Sequence, residues 1–158
     1  LLRIGIIGIG RLGEIHLQLL LQSQEYKVVG CFDTDRLRLN HICQEYGIRA
    51  YPNEDALISH CDVVDIVTPA ASHYYYADKA IRLSRHVFVE KPISATTEEA
   101  LSMLHLAKES GVMIQVGHIE RFNPALVVLK DFPLEPMFIE AHRLAIFDPR
   151  GTDVSVVH

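Results

Sequence analysis

Five short apolar runs, separated by stretches of helical period, constrain this chain more than any other feature. They are RIGIIG (3–8), KVVGCF (27–32), VVDIVT (63–68), HVFVE (86–90) and MIQVG (113–117), each bounded by turn residues. Continuous β-branched runs of this kind suit strands buried on both faces, as in a parallel sheet. Between them, Leu12, Ile15, Leu19 and Leu20 recur at helical spacing, and Leu37, Ile42 and Tyr46 mark a weaker helix. Thr96 followed by Glu99 has the form of a capping box, Leu101, Leu104 and Ala107 supply an apolar stripe, and Gly111 supplies a stop. Strands that alternate with helices require right-handed crossovers, so the expected fold is α/β: a doubly wound parallel sheet with helices on both faces.

Composition narrows the function classes. A chain of 158 residues that is 49% hydrophobic and 22% charged buries one ordinary core. A formal net charge of −5 with no basic run argues against nucleic acid as a partner, because such binders need a basic face to displace counterions. Cys31, Cys43 and Cys61 are odd in number and widely spaced, which suits neither a disulfide framework nor a metal knuckle, so reduced thiols and no metal are expected. The opening LLRIGIIGIG is apolar but too short to span a bilayer and runs straight into glycines. No membrane partner and a cytoplasmic location are expected.

The rhythm changes after about residue 120. FNPALVVLKDF (122–132) reads as a short helix with Asn123 near its start and Pro124 early in it, and PMFIEAHRLAIF (136–147) as a strand of a half-exposed, largely antiparallel sheet. The expected division is a dinucleotide-binding domain over 1–120 and, over 121–158, the incomplete start of a second α+β domain. An uncovered apolar strand there favours association, so a homo-oligomer is expected.

The stretch GIGRLG (8–13) follows a predicted strand, opens a predicted helix, and has an acidic residue, Asp33, ending the next strand twenty residues after Gly13. That context turns a weak GxGxxG match into a dinucleotide-binding, Rossmann-type signature. Gly8 permits the tight turn, Gly10 lets backbone approach a pyrophosphate, and Gly13 allows the helix to pack closely on the sheet. The amides at the helix start, in the Arg11-Leu12 turn, face the phosphates, and Asp33 accepts from the ribose hydroxyls. Asp33 repels a 2′-phosphate, while Arg36 and Arg38 just beyond leave room for one, so NAD is expected with NADP possible.

TPAASHYYYADKAI (68–81) followed by HVFVEKPIS (86–94) resembles the glucose/fructose oxidoreductase and inositol dehydrogenase family, the Gfo/Idh/MocA oxidoreductases. The order and spacing of GxGxxG, Asp33, Thr68-Pro69, His73 and Glu90-Lys91-Pro92 carry the resemblance, which runs from residue 2 to at least residue 124. It implies an NAD(P)-dependent dehydrogenase acting on a sugar or sugar-nucleotide hydroxyl, with Lys91 beside the nicotinamide as the acid/base group. It also implies that Thr68, Pro69, His73 and Glu90 line the cofactor; His73 equally suits a helix start satisfied by backbone. VGHIERFNPA (116–125) is similar to members acting on nucleotide-linked amino sugars. There Arg121 and Asn123 would meet the sugar or its diphosphate, or else form an interdomain salt bridge or helix cap.

Two departures stand out. Ser84-Arg85-His86-Val87 replaces the usual Gly-Lys-His-Val, so a non-glycine must take a left-handed helix cap. The Asp and His with which the family completes its site have no match in this chain, and the terminal His158 has no such context. A dinucleotide-binding sensor or regulatory module is therefore the alternative to the dehydrogenase.

Overall fold

A computed structural model of the chain describes residues 1–133, 135–140 and 142. Five strands, β1 (Leu2–Ile7), β2 (Tyr26–Phe32), β3 (Val63–Ile66), β4 (His86–Val89) and β5 (Ile114–Val116), form one sheet in the order β2-β1-β3-β4-β5. Every pairing is parallel. Residue Ala50 adds an isolated parallel bridge to Cys31 on the outer side of β2, where the third strand of a dinucleotide fold lies. The chain steps from β1 outward to β2 and then returns past β1 to β3, so the strand order reverses beside β1. Ligands of such sheets collect at that reversal, beyond the carboxyl ends of the strands.

Helices α1 (Arg11–Gln22), α2 (Arg36–Glu45), α3 (Glu54–Ile58), α4 (His73–Arg82) and α5 (Thr97–Ser110) cover the two faces. Because neighbouring strand residues point to opposite faces, Ile6 and Ile7 enter separate cores. Ile6 packs with Leu17, Leu39, Ile42 and Cys43, and Ile7 with Leu57, Val64, Ile81, Val89 and Met103. The capping box forms as the sequence predicts, with Glu99 N donating to Thr96 Oγ1 and Thr96 N to Glu99 Oε2, and Gly111 ends α5 in the left-handed conformation. Ser84 takes the left-handed cap of α4 at φ 56°. Helix α3 is not evident from apolar periodicity; its signal is Asn53, whose side chain accepts from Ala56 N at 2.8 Å.

The buried helix faces differ from the expected ones. Leu12, Ile15 and Leu19 of α1 are exposed, whereas Gly13 and Leu17 are buried. The reason is Gly13: a side chain there would strike the Gly8 carbonyl oxygen, so the close approach fixes the rotation of α1 and carries His16, Leu17 and Leu20 inward with it. On α2, Leu37 is exposed and Leu39, Ile42 and Cys43 are buried. On α5, Leu101 and Leu104 are exposed, and the sheet-facing stripe is Met103 and Ala107.

The chain divides into two units, Leu1–Gly117 and the residues from His118 onward. In the second, a 3-10 turn at Ile119–Phe122 leads to α6 (Pro124–Val127) and another 3-10 turn at Val128–Asp131. Asn123 caps α6 by accepting from Ala125 N at 3.0 Å, with Pro124 at the first helical position where its missing N–H costs nothing. Residues 136–140 form no strand, contrary to expectation; an extended segment needs a ladder partner, and none of the described residues supplies one. The remainder of that expected strand, at 141 and 143–147, and everything to His158 lie outside the described residues.

Candidate functional site

A cleft of about 390 Å³ opens beyond the carboxyl ends of β1, β2 and β3. Five of the sequence-predicted residues line it: Gly8, Gly10, Asp33, Thr68 and Pro69. Phe32, Thr34, Ser72 and Tyr76 line it as well, without having been singled out by any motif.

The floor is shaped by missing side chains. Gly8 turns the chain at φ 91°, and a Cβ there would lie 2.6 Å from the Val67 carbonyl oxygen. Gly10 precedes α1, and a Cβ there would project into open space. The same space admits a ligand's phosphate beside the unpaired amides and positive end of a helix of 12 residues. Arg11 and Leu12 turn their side chains toward solvent, so only their main chain adds to this turn.

Asp33 does more than the sequence predicts. Its Oδ2 accepts from Ile9 N at 2.7 Å and its Oδ1 from Asp35 N at 2.8 Å, so the carboxylate ties the glycine loop to the end of β2. An ionised carboxylate offers about four acceptor positions, which leaves two for a ligand's hydroxyls. Both nearby guanidinium groups are engaged. Arg38 Nε donates to Ile9 O at 2.6 Å and its NH2 to Glu14 Oε2 at 3.0 Å. Arg36 donates to Tyr51 O at 3.0 Å and to Pro52 O, with its guanidinium over the Phe32 ring.

On the other wall, Ser72 Oγ donates to Thr68 Oγ1 at 2.8 Å. His73, 1% exposed, starts α4 and places one ring nitrogen 2.8 Å from Thr68 O and the other 2.7 Å from Pro92 O. One imidazole thus joins the cleft wall to the turn that follows β4, and it does so through backbone. That turn holds Glu90, Lys91 and Pro92, with a cis Lys91–Pro92 bond and the Lys91 side chain exposed. Glu90 turns inward: its Oε2 accepts from Lys91 N at 3.2 Å, and its carboxylate lies against Gly117, where a Cβ would collide with it. His16 Nδ1 lies 3.0 Å from Asp65 Oδ2, and its Nε2 lies 3.5 Å from Glu90 Oε1. Neither His16 nor Asp65 is evident as a site residue in the sequence, although His16 follows Gly13 by one helical turn on the same face.

Arg121 and Asn123 share the short helical segment of the second unit. Asn123 Nδ2 donates to Glu120 Oε2 at 2.8 Å and Arg121 N to His118 O at 3.0 Å. Among the described residues, no group of three or more His, Cys, Asp or Glu side chains is placed to hold a metal ion. No helix among them is long and apolar enough to cross a membrane.

The turn at Gly8, the open face at Gly10 and the spare acceptor positions of Asp33 fit the pyrophosphate and ribose of a dinucleotide. Comparison with known proteins points to the same class of fold. The sequence profile of the Gfo/Idh/MocA oxidoreductase family, NAD-binding Rossmann fold, matches residues 2–118. The chain is 36% identical to UDP-N-acetylglucosamine 3-dehydrogenase of Acidithiobacillus ferrooxidans over 99% of this chain and 50% of that protein. It is 35% identical to scyllo-inositol 2-dehydrogenase (NAD(+)) of Bacillus subtilis over 78% of this chain and 37% of that one. The solved structure of the Acidithiobacillus enzyme superposes with a TM-score of 0.78 over 82% of this chain and 42% of its own. A protein of gentamicin A biosynthesis, solved in complex with NAD, superposes at 0.70 with 27% identity over 73% of this chain and 34% of its own. The chain therefore spans half or less of the length of these relatives.

Proposed function

This chain belongs to the Gfo/Idh/MocA oxidoreductase family, with its NAD-binding Rossmann fold, and from that premise we propose that the protein is an NAD-dependent dehydrogenase of a sugar-nucleotide hydroxyl. The observation that carries the reading is the tie made by His73, which sets the Lys91 turn against the wall of the glycine-floored cleft. When bound, the nicotinamide supplies the hydride acceptor. Gly8, Gly10 and the first turn of α1 hold the pyrophosphate, Asp33 holds the ribose, and Thr68 and Pro69 line the wall. Lys91 takes the hydroxyl proton as the carbinol is oxidised and returns it in the reverse direction. Glu90 and His73 act from beneath, fixing the main chain on either side of Lys91.

NAD is preferred over NADP. A 2′-phosphate would face the Asp33 carboxylate, and the two arginines that would receive it are already bonded to Ile9, Glu14, Tyr51 and Pro52. The substrate class rests on the 36% identity to a UDP-N-acetylglucosamine dehydrogenase and on the VGHIERFNPA segment, in which Arg121 and Asn123 meet the sugar or its diphosphate. Residues 1–120 form the cofactor domain, and 121–158 begin the substrate domain. The protein works in the cytoplasm as a homo-oligomer. The test is formation of NADH by the protein with UDP-N-acetylglucosamine, compared with scyllo-inositol. Turnover with the nucleotide sugar is expected, and turnover with the inositol alone overturns the substrate class.

A further inference from the structure

Two members of the cluster beneath Lys91, His16 and Asp65, have no part in the chemistry described so far. Asp65 lies on β3 and is 2% exposed, with its Oδ2 on His16 and its Oδ1 without a hydrogen-bond partner among the described residues. Glu90 closes the other side of the same imidazole, and its free oxygen accepts the Lys91 amide. The contacts form one line: Asp65, His16, Glu90, Lys91 main chain. They bring together three elements that lie far apart in sequence, α1, β3 and the end of β4.

We propose that His16 is a positioning residue for Lys91: doubly protonated, it bridges the Asp65 and Glu90 carboxylates and so fixes the Glu90 oxygen that holds the Lys91 amide. The proposal rests on the reading of Lys91 as the acid/base group. Its physical basis is a count of donors. A carboxylate only accepts hydrogen bonds, and a neutral imidazole donates through one nitrogen alone. With the ring neutral, one of the two carboxylates would face a lone pair in a poorly solvated site, and Glu90, at 3.5 Å the looser partner, would swing away. With the ring charged, both contacts are attractive and the cluster carries one net negative charge, toward which the Lys91 turn is drawn.

The surroundings add no competing charge. From β2 comes Cys31, whose thiol is held protonated by its hydrogen bond with Cys43 and by burial. From β4 comes the uncharged Phe88 ring, edge-on at 5.9 Å. On α1 itself, Glu14 is paired with Arg38 at 3.0 Å. Burial pulls the His16 imidazolium down, but the Asp65 hydrogen bond and the charges of Asp65 and Glu90 together outweigh it, and its pKa is raised. Burial pushes Asp65 up, and the charge of Glu90 adds to that push against the His16 hydrogen bond. A raised imidazole pKa gives the sign. The protonated His16 supports the fold just below the unfolded histidine value of about 6.5 and that support is lost as pH rises through the higher folded value, while toward acid the bridge is lost again as Asp65, raised by burial, takes up a proton.

Two measurements on the whole protein separate this proposal from the functional reading on which it rests. The first needs neither cofactor nor substrate: the His16 ring resonances, assigned by their loss in His16→Gln, are followed by NMR from acid to alkaline pH. A titration midpoint above that of an ordinary histidine, moved down in Asp65→Asn and in Glu90→Gln, is the expected result. A ring that stays neutral throughout, or a midpoint indifferent to Asp65→Asn, overturns the bridge. The second compares kcat with cofactor affinity. His16→Gln is expected to lower kcat with UDP-N-acetylglucosamine about 10-fold or more through misplacement of Lys91, while the Kd for NAD stays within about twofold. An NAD Kd that worsens as much as kcat falls would make His16 a mere prop of α1 and overturn its positioning role. Absence of turnover in the unaltered protein would fault the functional reading, and the NMR titration would still decide the bridge.

Discussion

The glycine floor of the cleft and the Lys91 turn tied to its wall are built on opposite principles. The glycine floor works by what its residues lack: Gly8 permits a turn, Gly13 permits a close contact, and Gly10 leaves space. The Lys91 turn works by what its neighbours carry, with one imidazole on Pro92 O and a second on Glu90. A surface defined by sterics and backbone amides does not titrate, whereas one held by a histidine between two carboxylates does. The grip of the glycine floor on the pyrophosphate should therefore be nearly indifferent to pH where catalysis is not, and substitutions in the two parts should fail in different ways.

The largest effect is expected at the titrating turn. Lys91→Ala should lower kcat by on the order of 10² or more, the range of a general acid/base group, with cofactor affinity nearly unchanged. Steady-state kinetics beside an NAD titration checks the split, and equal losses in both would erase the contrast between the two parts.

Within the floor, two glycines should separate folding from binding. Gly13→Val drives a side chain into the Gly8 carbonyl, and overpacking of this kind costs about 1–3 kcal/mol, read as a lower Tm. Gly10→Val meets no protein atom, so its Tm should stay close to that of the parent while NAD affinity falls about 10-fold or more as the side chain takes the ligand's space. A Gly10 variant that binds normally would show that the cleft is not where the pyrophosphate lies.

Asp33→Ala tests the hinge between the floor and the second strand. Hydrogen bonds to charged groups contribute about 1.5–3 kcal/mol, so NAD affinity should drop by roughly 10- to 100-fold. The preference over NADP should narrow in the same titration, because the repelling carboxylate is gone. The smallest effect lies outside both parts. The hydrogen bonds from Arg3 hold Asp62 down to about 2, so this pair supports the fold above the ordinary carboxylate value and is lost as pH falls toward that lower one. Asp62→Asn should soften stability slightly at neutral pH and remove that part of the acid limb in a pH series of thermal melts.

What the sequence reveals follows sequence distance. GIGRLG and Asp33 are legible because a strand, a turn and a helix in immediate succession leave few geometries, and the capping box at Thr96 and Glu99 is a contact across three residues. The rotation of α1 is not legible from its leucines, because a glycine decides it and glycine carries no hydropathy signal. His16 and Asp65, and their link to Glu90, escape notice for another reason: His16 and Asp65 are 49 residues apart and Asp65 and Glu90 are 25, and only the adjacency of β3 and β4 together with the packing of α1 makes them neighbours. In the sequence Arg36 and Arg38 leave room for a 2′-phosphate, and their backbone partners are visible only once the Tyr51–Pro52 loop and the glycine loop fold beside them.

The most direct test of the account is a calorimetric titration of NAD and NADP into the 158-residue chain and into its Gly10→Val variant. Saturable one-to-one binding of NAD to the parent, weaker binding of NADP, and a loss of about 10-fold or more for NAD in the variant at unchanged Tm are expected. Tighter binding of NADP than of NAD, or an affinity for NAD that the added side chain leaves untouched, would contradict the account.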